Sequence, residues 1–262
     1  MQIVMQEVDM CRLLGIYGQV DSWKDVVLEF RKLAEIGKIP PIDDLTPGHK
    51  DGWGMAGSND QKTVMVEIMR QMGSAYDSKN YQEVVYSMRI PSHIFLCHLR
   101  KASPNIPISL ANVHPFIQDG WAFIHNGSIY QAESLRRDPG FILSSDGSDS
   151  EHFFHYLLTS LLENQTPQDK LEIIADAVSS VTLEYTALNS MISNGNELFI
   201  IRSCQKYEEY YTLFYYHLPD GVIISSEILE SHGLNPDQWI GLANNSFLAI
   251  SGSPPRINQI QR

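Results

Sequence analysis

At 262 residues the chain fits one large domain or two small ones and can bury a substantial core. Its net charge of −12 excludes nonspecific nucleic-acid binding, which rests on Lys and Arg neutralising phosphates, and no apolar run approaches the roughly eighteen residues of a membrane span. Three cysteines (Cys11, Cys97, Cys204) without CxxC spacing suit a reduced, cytoplasmic protein, and Met1 to Met10, with Glu7 and Asp9 but no Lys or Arg, is no secretory signal.

In chain order, Leu13 to Tyr17 is a short apolar run closed by Gly18 and reads as a buried strand. Ser22 then opens a helix in which Trp23, Val26, Val27, Phe30, Leu33 and Ile36 recur at helical spacing; Asp25 completes a capping box and Gly37 ends it. Lys38 to Gly48 is a proline-bearing loop, and His49 to Gly57 is a glycine-punctuated segment leading into a strand over Thr63 to Met69. Ile94 to Leu99 and Trp121 to His125 are further strands. Ser148 and Glu151 box the start of a helix running to Leu162, and Thr166-Pro167 starts another, with Leu171, Ile174, Val178 and Val181 facing inward. Strands follow over Tyr185 to Ile192, Glu197 to Arg202, Tyr210 to His217, Gly221 to Ser226 and Ser246 to Ile250. No internal repeat is present. The mixed order points to a layered α+β protein, with helices covering sheets that pack on each other.

Four segments carry complementary chemistry. Cys11 directly follows Met10; with everything through Met10 removed, it bears a thiol and a free α-amine on one residue. An α-amine has a pKa of roughly 7.7–8.0, so it can take the thiol proton without a histidine; the plain alternative is a buried structural cysteine. Arg100, at a strand end in His98 to Ser103, can offer a planar fork to a carboxylate, or sit in a surface salt bridge. Asn126-Gly127 can form an oxyanion hole or a hairpin turn. Asp149, opening a helix, can hold an ammonium group or simply complement the helix dipole. His152 and His155 share a helix without an HExxH motif or a third ligand, and a chance pair among nine histidines accounts for them. No phosphate-binding glycine loop is present, and no metal or other cofactor is implied.

Together the four segments would suit a γ-linked glutamyl amide. Met10-Cys11, His98-Leu99-Arg100, His125-Asn126-Gly127 and Asp149-Ser150-Glu151, and more loosely Ser225-Ser226-Glu227, resemble the glutaminase domain of class II glutamine amidotransferases, which are N-terminal nucleophile hydrolases. The resemblance implies a four-layer αββα sandwich of two mainly antiparallel sheets covered by helices. It implies Cys11 as nucleophile, Asn126 and Gly127 as the oxyanion hole, Arg100 on the glutamine α-carboxylate and Asp149 on its α-amine. Residues 1–10 would be an extension or propeptide, or the start would lie at Met10, and 11–262 would be the glutaminase domain. Lys101 stands where amidotransferases with a fused synthase usually carry an aromatic, and His49-Lys50-Asp51-Gly52-Trp53-Gly54 departs from the family's early His-Arg-Gly motif. Cys11-Arg12-Leu13-Leu14-Gly15, together with Asp51-Gly52-Trp53-Gly54, resembles a stand-alone branch, one type of which cleaves a γ-glutamyl amide in ergothioneine synthesis.

The implied reaction is acyl transfer through a Cys11 γ-glutamyl thioester, releasing ammonia or an amine. Three readings stay open: a glutaminase feeding ammonia to a separate synthase subunit, a γ-glutamyl amidase without ammonia transfer, and a non-catalytic domain that senses glutamine or binds a partner. A chain that retains Met1 to Met10 should show an immature or partly blocked Cys11.

Overall fold

The computed structural model describes residues 10–42, 45–59, 63–88, 93–102, 108–144, 147–164 and 169–262. Residues 1–9 of the extension, part of the 38–48 loop, Ser103 and the expected helix start at Thr166-Pro167 lie outside the described residues.

Thirteen strands form two sheets among the described residues: β1 (Met10–Gly18), β2 (Gly52–Asn59), β3 (Val64–Met72), β4 (Ile94–Lys101), β5 (Phe116–Gln118), β6 (Trp121–Asn126), β7 (Asn189–Ser193), β8 (Leu198–Arg202), β9 (Phe214–His217), β10 (Gly221–Ser225), β11 (Ile240–Gly241), β12 (Ser246–Ser251) and β13 (Arg256–Gln261). One sheet has the order β11-β9-β10-β1-β4-β2-β3, the other β13-β12-β8-β7-β6-β5, and every described pairing is antiparallel. The helices are α1 (Trp23–Phe30), α2 (Leu33–Ile36), α3 (Lys79–Ser87), α4 (Asp149–Glu163) and α5 (Lys170–Ser179).

Period-two alternation explains the layering. On β1, Leu13 and Tyr17 enter the apolar layer between the sheets, where they join Leu96, Ile124, Met191 and Ile200. Leu14 and Ile16 point the other way, into a core with Phe30 of α1, Leu33 of α2 and Tyr81 of α3. On the far side, Phe123, Ile192, Phe199 and Phe247 of the second sheet pack against Phe153 and Leu157 of α4 and Ile174 of α5. The order helix, sheet, sheet, helix is the expected αββα sandwich. Both central sheets are buried on two faces, which is why their strands read as near-continuous apolar runs.

Local differences have local causes. Ser22 makes no side-chain cap, because its backbone (φ −84°, ψ 15°) is not extended and its hydroxyl cannot turn back to the Asp25 N–H. The long first helix breaks at Arg31-Lys32, where three-residue bonds such as Lys32 N–H to the Glu29 carbonyl tighten the turn. The Ser148 hydroxyl does cap the Glu151 N–H, but the Glu151 carboxylate binds the Ser144 N–H and hydroxyl, so the box is one-sided. Asp169 caps α5 through the Leu171 N–H. Gly52 to Asn59 is itself a strand, and β5, α3, β11 and β13 join the expected elements.

Candidate active site

Cys11 lies one residue into β1 and is 4% exposed. It is paired across the sheet with Arg100 of β4, and Arg100 in turn with Gly52 of β2. Since Cys11 shares a strand face with Leu13, it looks into the space between the sheets. The opposing sheet meets it there: the Cys11 backbone N–H donates to Asn126 Oδ1 at 2.8 Å. With Oδ1 so engaged, the Asn126 Nδ2 group is left buried and without a hydrogen-bond partner among the described residues. Arg100 is 3% exposed, and its Nη1 is likewise buried without a partner. Two orphaned donors beside one thiol-bearing strand are the kind of exception that a ligand resolves.

The Asn126-Gly127 pair is not a hairpin turn, because β6 runs on to pair with β7, more than sixty residues later. Gly127 has φ +150°, and a Cβ there would stand 1.9 Å from the Ala187 carbonyl oxygen, so no larger residue fits. Asp149, the first residue of α4, reaches back to this turn by accepting the Ile129 N–H at 2.8 Å, while its other oxygen accepts the Ser150 N–H. Ser150 bonds His125 Nδ1 at 2.9 Å, and His125 Nε2 contacts the Ala187 carbonyl. The start of α4 is thereby fastened to the end of β6. All five residues singled out in the sequence, Cys11, Arg100, Asn126, Gly127 and Asp149, thus come to one end of the sandwich.

Glycines on β2 shape the neighbouring wall. A Cβ on Gly54 would lie 2.2 Å from the His114 carbonyl oxygen, so the segment ending at His114 crosses the strand only because that side chain is absent. His114 accepts the His125 N–H through Nδ1, and its ring lies 4.3 Å from that of His98. Burial, and then the Arg100 charge, push the His98 imidazole down to about 3, while burial and the neighbouring cationic groups hold His114 well below the usual range. These rings are neutral at working pH and leave Arg100 as a fixed cation among them.

Residues outside the four segments complete the surroundings. Arg12 is fully buried, donates from Nε to Glu227, from Nη1 to the Cys11 carbonyl and from Nη2 to the Lys38 carbonyl, and lies 4.5 Å over the Tyr210 ring. Glu227 also accepts the Lys38 N–H. Burial raises the Tyr210 phenol well above its ordinary value, with a Cys11 thiolate adding to the rise. Its hydroxyl makes no well-formed hydrogen bond among the described residues, the guanidinium facing the ring instead. Lys101 Nζ donates to the Thr46 and Gly48 carbonyls, so it ties down the 38–48 loop. Lys50 pairs with Glu35 at the surface, and Trp53 packs edge-on against Tyr81 in the outer core. The other two thiols are poor nucleophiles, because burial pushes Cys97 up to about 12 and Cys204 up to about 11. The His155 ring lies tilted against Phe141, 5.1 Å between centroids, and no group of three or more metal-ligating side chains exists among the described residues.

The profile of the family described as Glutamine amidotransferases class-II matches residues 10–215. Over 196 residues the chain is 29% identical to an uncharacterized protein of Methanocaldococcus jannaschii, covering 72% of this chain and 50% of that protein. It thus spans about half the length of that curated relative. Among solved structures, glutamine phosphoribosylpyrophosphate amidotransferase from B. subtilis superposes with TM-score 0.65 at 15% identity, over 96% of this chain and 49% of that one. A glutamine aminotransferase class-II domain protein from Silicibacter pomeroyi gives 0.60 at 20% identity, over 96% of this chain and 100% of that one. A predicted glutamine amidotransferase from Pseudomonas aeruginosa gives 0.53 at 18%, over 93% and 96%. At these identities the superpositions show a shared fold. No described helix is long and apolar enough to cross a membrane. With the family profile covering most of its length, the chain belongs to the class II glutamine amidotransferases.

Proposed function

We propose that residues 11–262 form a glutaminase domain that opens a γ-glutamyl amide through a thioester on Cys11, once residues 1–10 are gone. The observation that carries this reading is the 2.8 Å bond from the Cys11 nitrogen to Asn126 Oδ1. Here that nitrogen is a peptide N–H and cannot act as a base. When the Met10–Cys11 bond is broken, the same contact holds a free α-amine in place beside its own thiol, and the amine's pKa of roughly 7.7–8.0 suits proton transfer near neutrality. The domain extends past residue 215, since β10 sits next to β1 and β12 next to β8.

In this mechanism the amine takes the thiol proton and the thiolate attacks the side-chain amide carbonyl. The developing oxyanion meets the free Asn126 Nδ2 group and the Gly127 N–H. The ammonium then protonates the leaving nitrogen, the C–N bond breaks, and a γ-glutamyl thioester remains. Water activated by the same amine hydrolyses it. Arg100 receives the substrate α-carboxylate with its unpaired Nη1, and Asp149 receives the α-ammonium. An ammonia acceptor, where one is used, would be a separate synthase subunit.

The test compares protein whose first residue is Cys11 with protein retaining Met1–Met10, both verified by intact mass. Ammonia release from L-glutamine is expected only from the first. Cys11→Ala abolishes it, and Arg100→Lys raises KM by on the order of tenfold or more by losing the fork. Equal turnover by the unprocessed chain would refute the proposal.

A further inference from the structure

Met10 is 1% exposed and does not belong to any of the three layer cores. It fills a separate niche at the end of the sandwich, formed by Ala187, Cys204, Tyr210 and Tyr211, with Ile42, Leu45 and Tyr207 closing its rim. The Tyr210 hydroxyl has no well-formed hydrogen bond among the described residues. Arg12, over the Tyr210 ring, donates to Glu227, the Cys11 carbonyl and the Lys38 carbonyl. The residues packed around Met10 are mainly apolar, so the niche suits an apolar group.

Its position follows from covalent geometry. Met10 is bonded to the Cys11 nitrogen, so the niche begins at the atom that, on the reading above, protonates the leaving nitrogen. That transfer requires the leaving nitrogen to lie roughly 2.6–3.2 Å from the amine. One direction from the amine is taken by Asn126 Oδ1. Another is the direction of the bond to Met10, which its removal opens. A substituent carried by the leaving nitrogen would run into the volume that Met10 gives up.

We infer that the niche of Met10 is the leaving-group subsite of the matured enzyme, and that its substrate is a γ-glutamyl amide of a primary amine bearing an apolar chain of about methionine size. This rests on the proposed role of Cys11 and deepens it. Free glutamine places only an unsubstituted nitrogen at the mouth of the niche and gains nothing from its walls. Each methylene buried there adds about fourfold in affinity. The chemistry balances as before: the amide C–N bond breaks, the C–S bond forms, the amine leaves with the ammonium proton, and water returns the thiol and glutamate.

The experiment uses genes that start at Met10, so that methionine removal leaves residue 11 first, with the fold checked by circular dichroism. In the Cys11→Ala protein, which cannot turn over, calorimetry compares L-γ-glutamyl-n-butylamide with L-glutamine. Binding of the butylamide tighter by tenfold or more is expected, and Ile42→Trp, which narrows the rim, should bring the ratio towards one. Equal or weaker binding of the butylamide overturns the subsite. Turnover by the Cys11 protein reads the other assumption separately: cleavage of neither compound would refute Cys11 as nucleophile, and the subsite inference that rests on it.

Discussion

Asn126 performs two jobs with one amide group: Oδ1 holds the Cys11 nitrogen at 2.8 Å, and Nδ2 stays unpartnered in a buried setting. The two can be separated. Asn126→Asp keeps an acceptor for the amine but removes the donor and puts negative charge at the proposed oxyanion hole. It should lower kcat by about 10²–10³ while KM for glutamine moves little, and steady-state kinetics on matured protein would check this. A kcat within a factor of a few of the parent would remove Nδ2 from the oxyanion hole. Cys11, Arg100, Asn126, Gly127 and Asp149 were legible as residue types in sequence order, because each supplies a chemistry the others complement. No role for Arg12 or Tyr210 was legible there, and Glu227 stood only in the looser Ser225-Ser226-Glu227 match, without a role. The guanidinium meets its carboxylate across 215 positions of chain, and no local pattern announces a partner at that distance.

At the scale of elements, the site depends on how closely backbone segments approach one another. The turn after β6 passes the Ala187 carbonyl with no room for a Cβ at Gly127. Gly127→Ala adds that clash to a backbone conformation that disfavours side chains, so it should destabilise the protein by about 2–4 kcal/mol in urea unfolding. A change below about 0.5 kcal/mol would mean that the turn relaxes freely. Short apolar runs and capping residues made β1, β4, β6 and α4 readable in the sequence. The short α3 escaped because its apolar face is thin: only Tyr81 and Val85 are buried. The one-sided box at α4 shows a limit of motif reading, since Glu151 found better donors in Ser144 than in its own cap.

For the whole molecule, the neutral histidines set a pH dependence. His49, His98 and His114 are fully enclosed, and burial lowers all three. In the unfolded chain they would protonate near pH 6.5. As pH falls below that value the unfolded state binds more protons than the folded one, so stability declines with acidification and is restored above about 6.5. Each ring contributes up to about 1.4 kcal/mol per pH unit in that window. Urea midpoints should therefore fall steeply between pH 6.5 and 5, and His98→Gln should make the slope shallower; an unchanged slope would show that His98 does not titrate on unfolding. The sandwich itself was readable only in class from the order of elements, its four-layer form coming from the family resemblance, because the pairing of β1 with both β4 and β10 joins segments that no local periodicity connects.

The central claim, that Cys11 becomes the nucleophile when its nitrogen is freed, is tested most directly by covalent labelling with a glutamine-shaped diazoketone and peptide mass mapping. Matured protein should take up one label, on Cys11, while protein retaining Met1–Met10 stays unlabelled. Cys97 and Cys204 should stay silent in both, as thiols raised to about 12 and about 11. Label on either of those cysteines, or equal labelling of Cys11 in the unprocessed chain, would contradict the account.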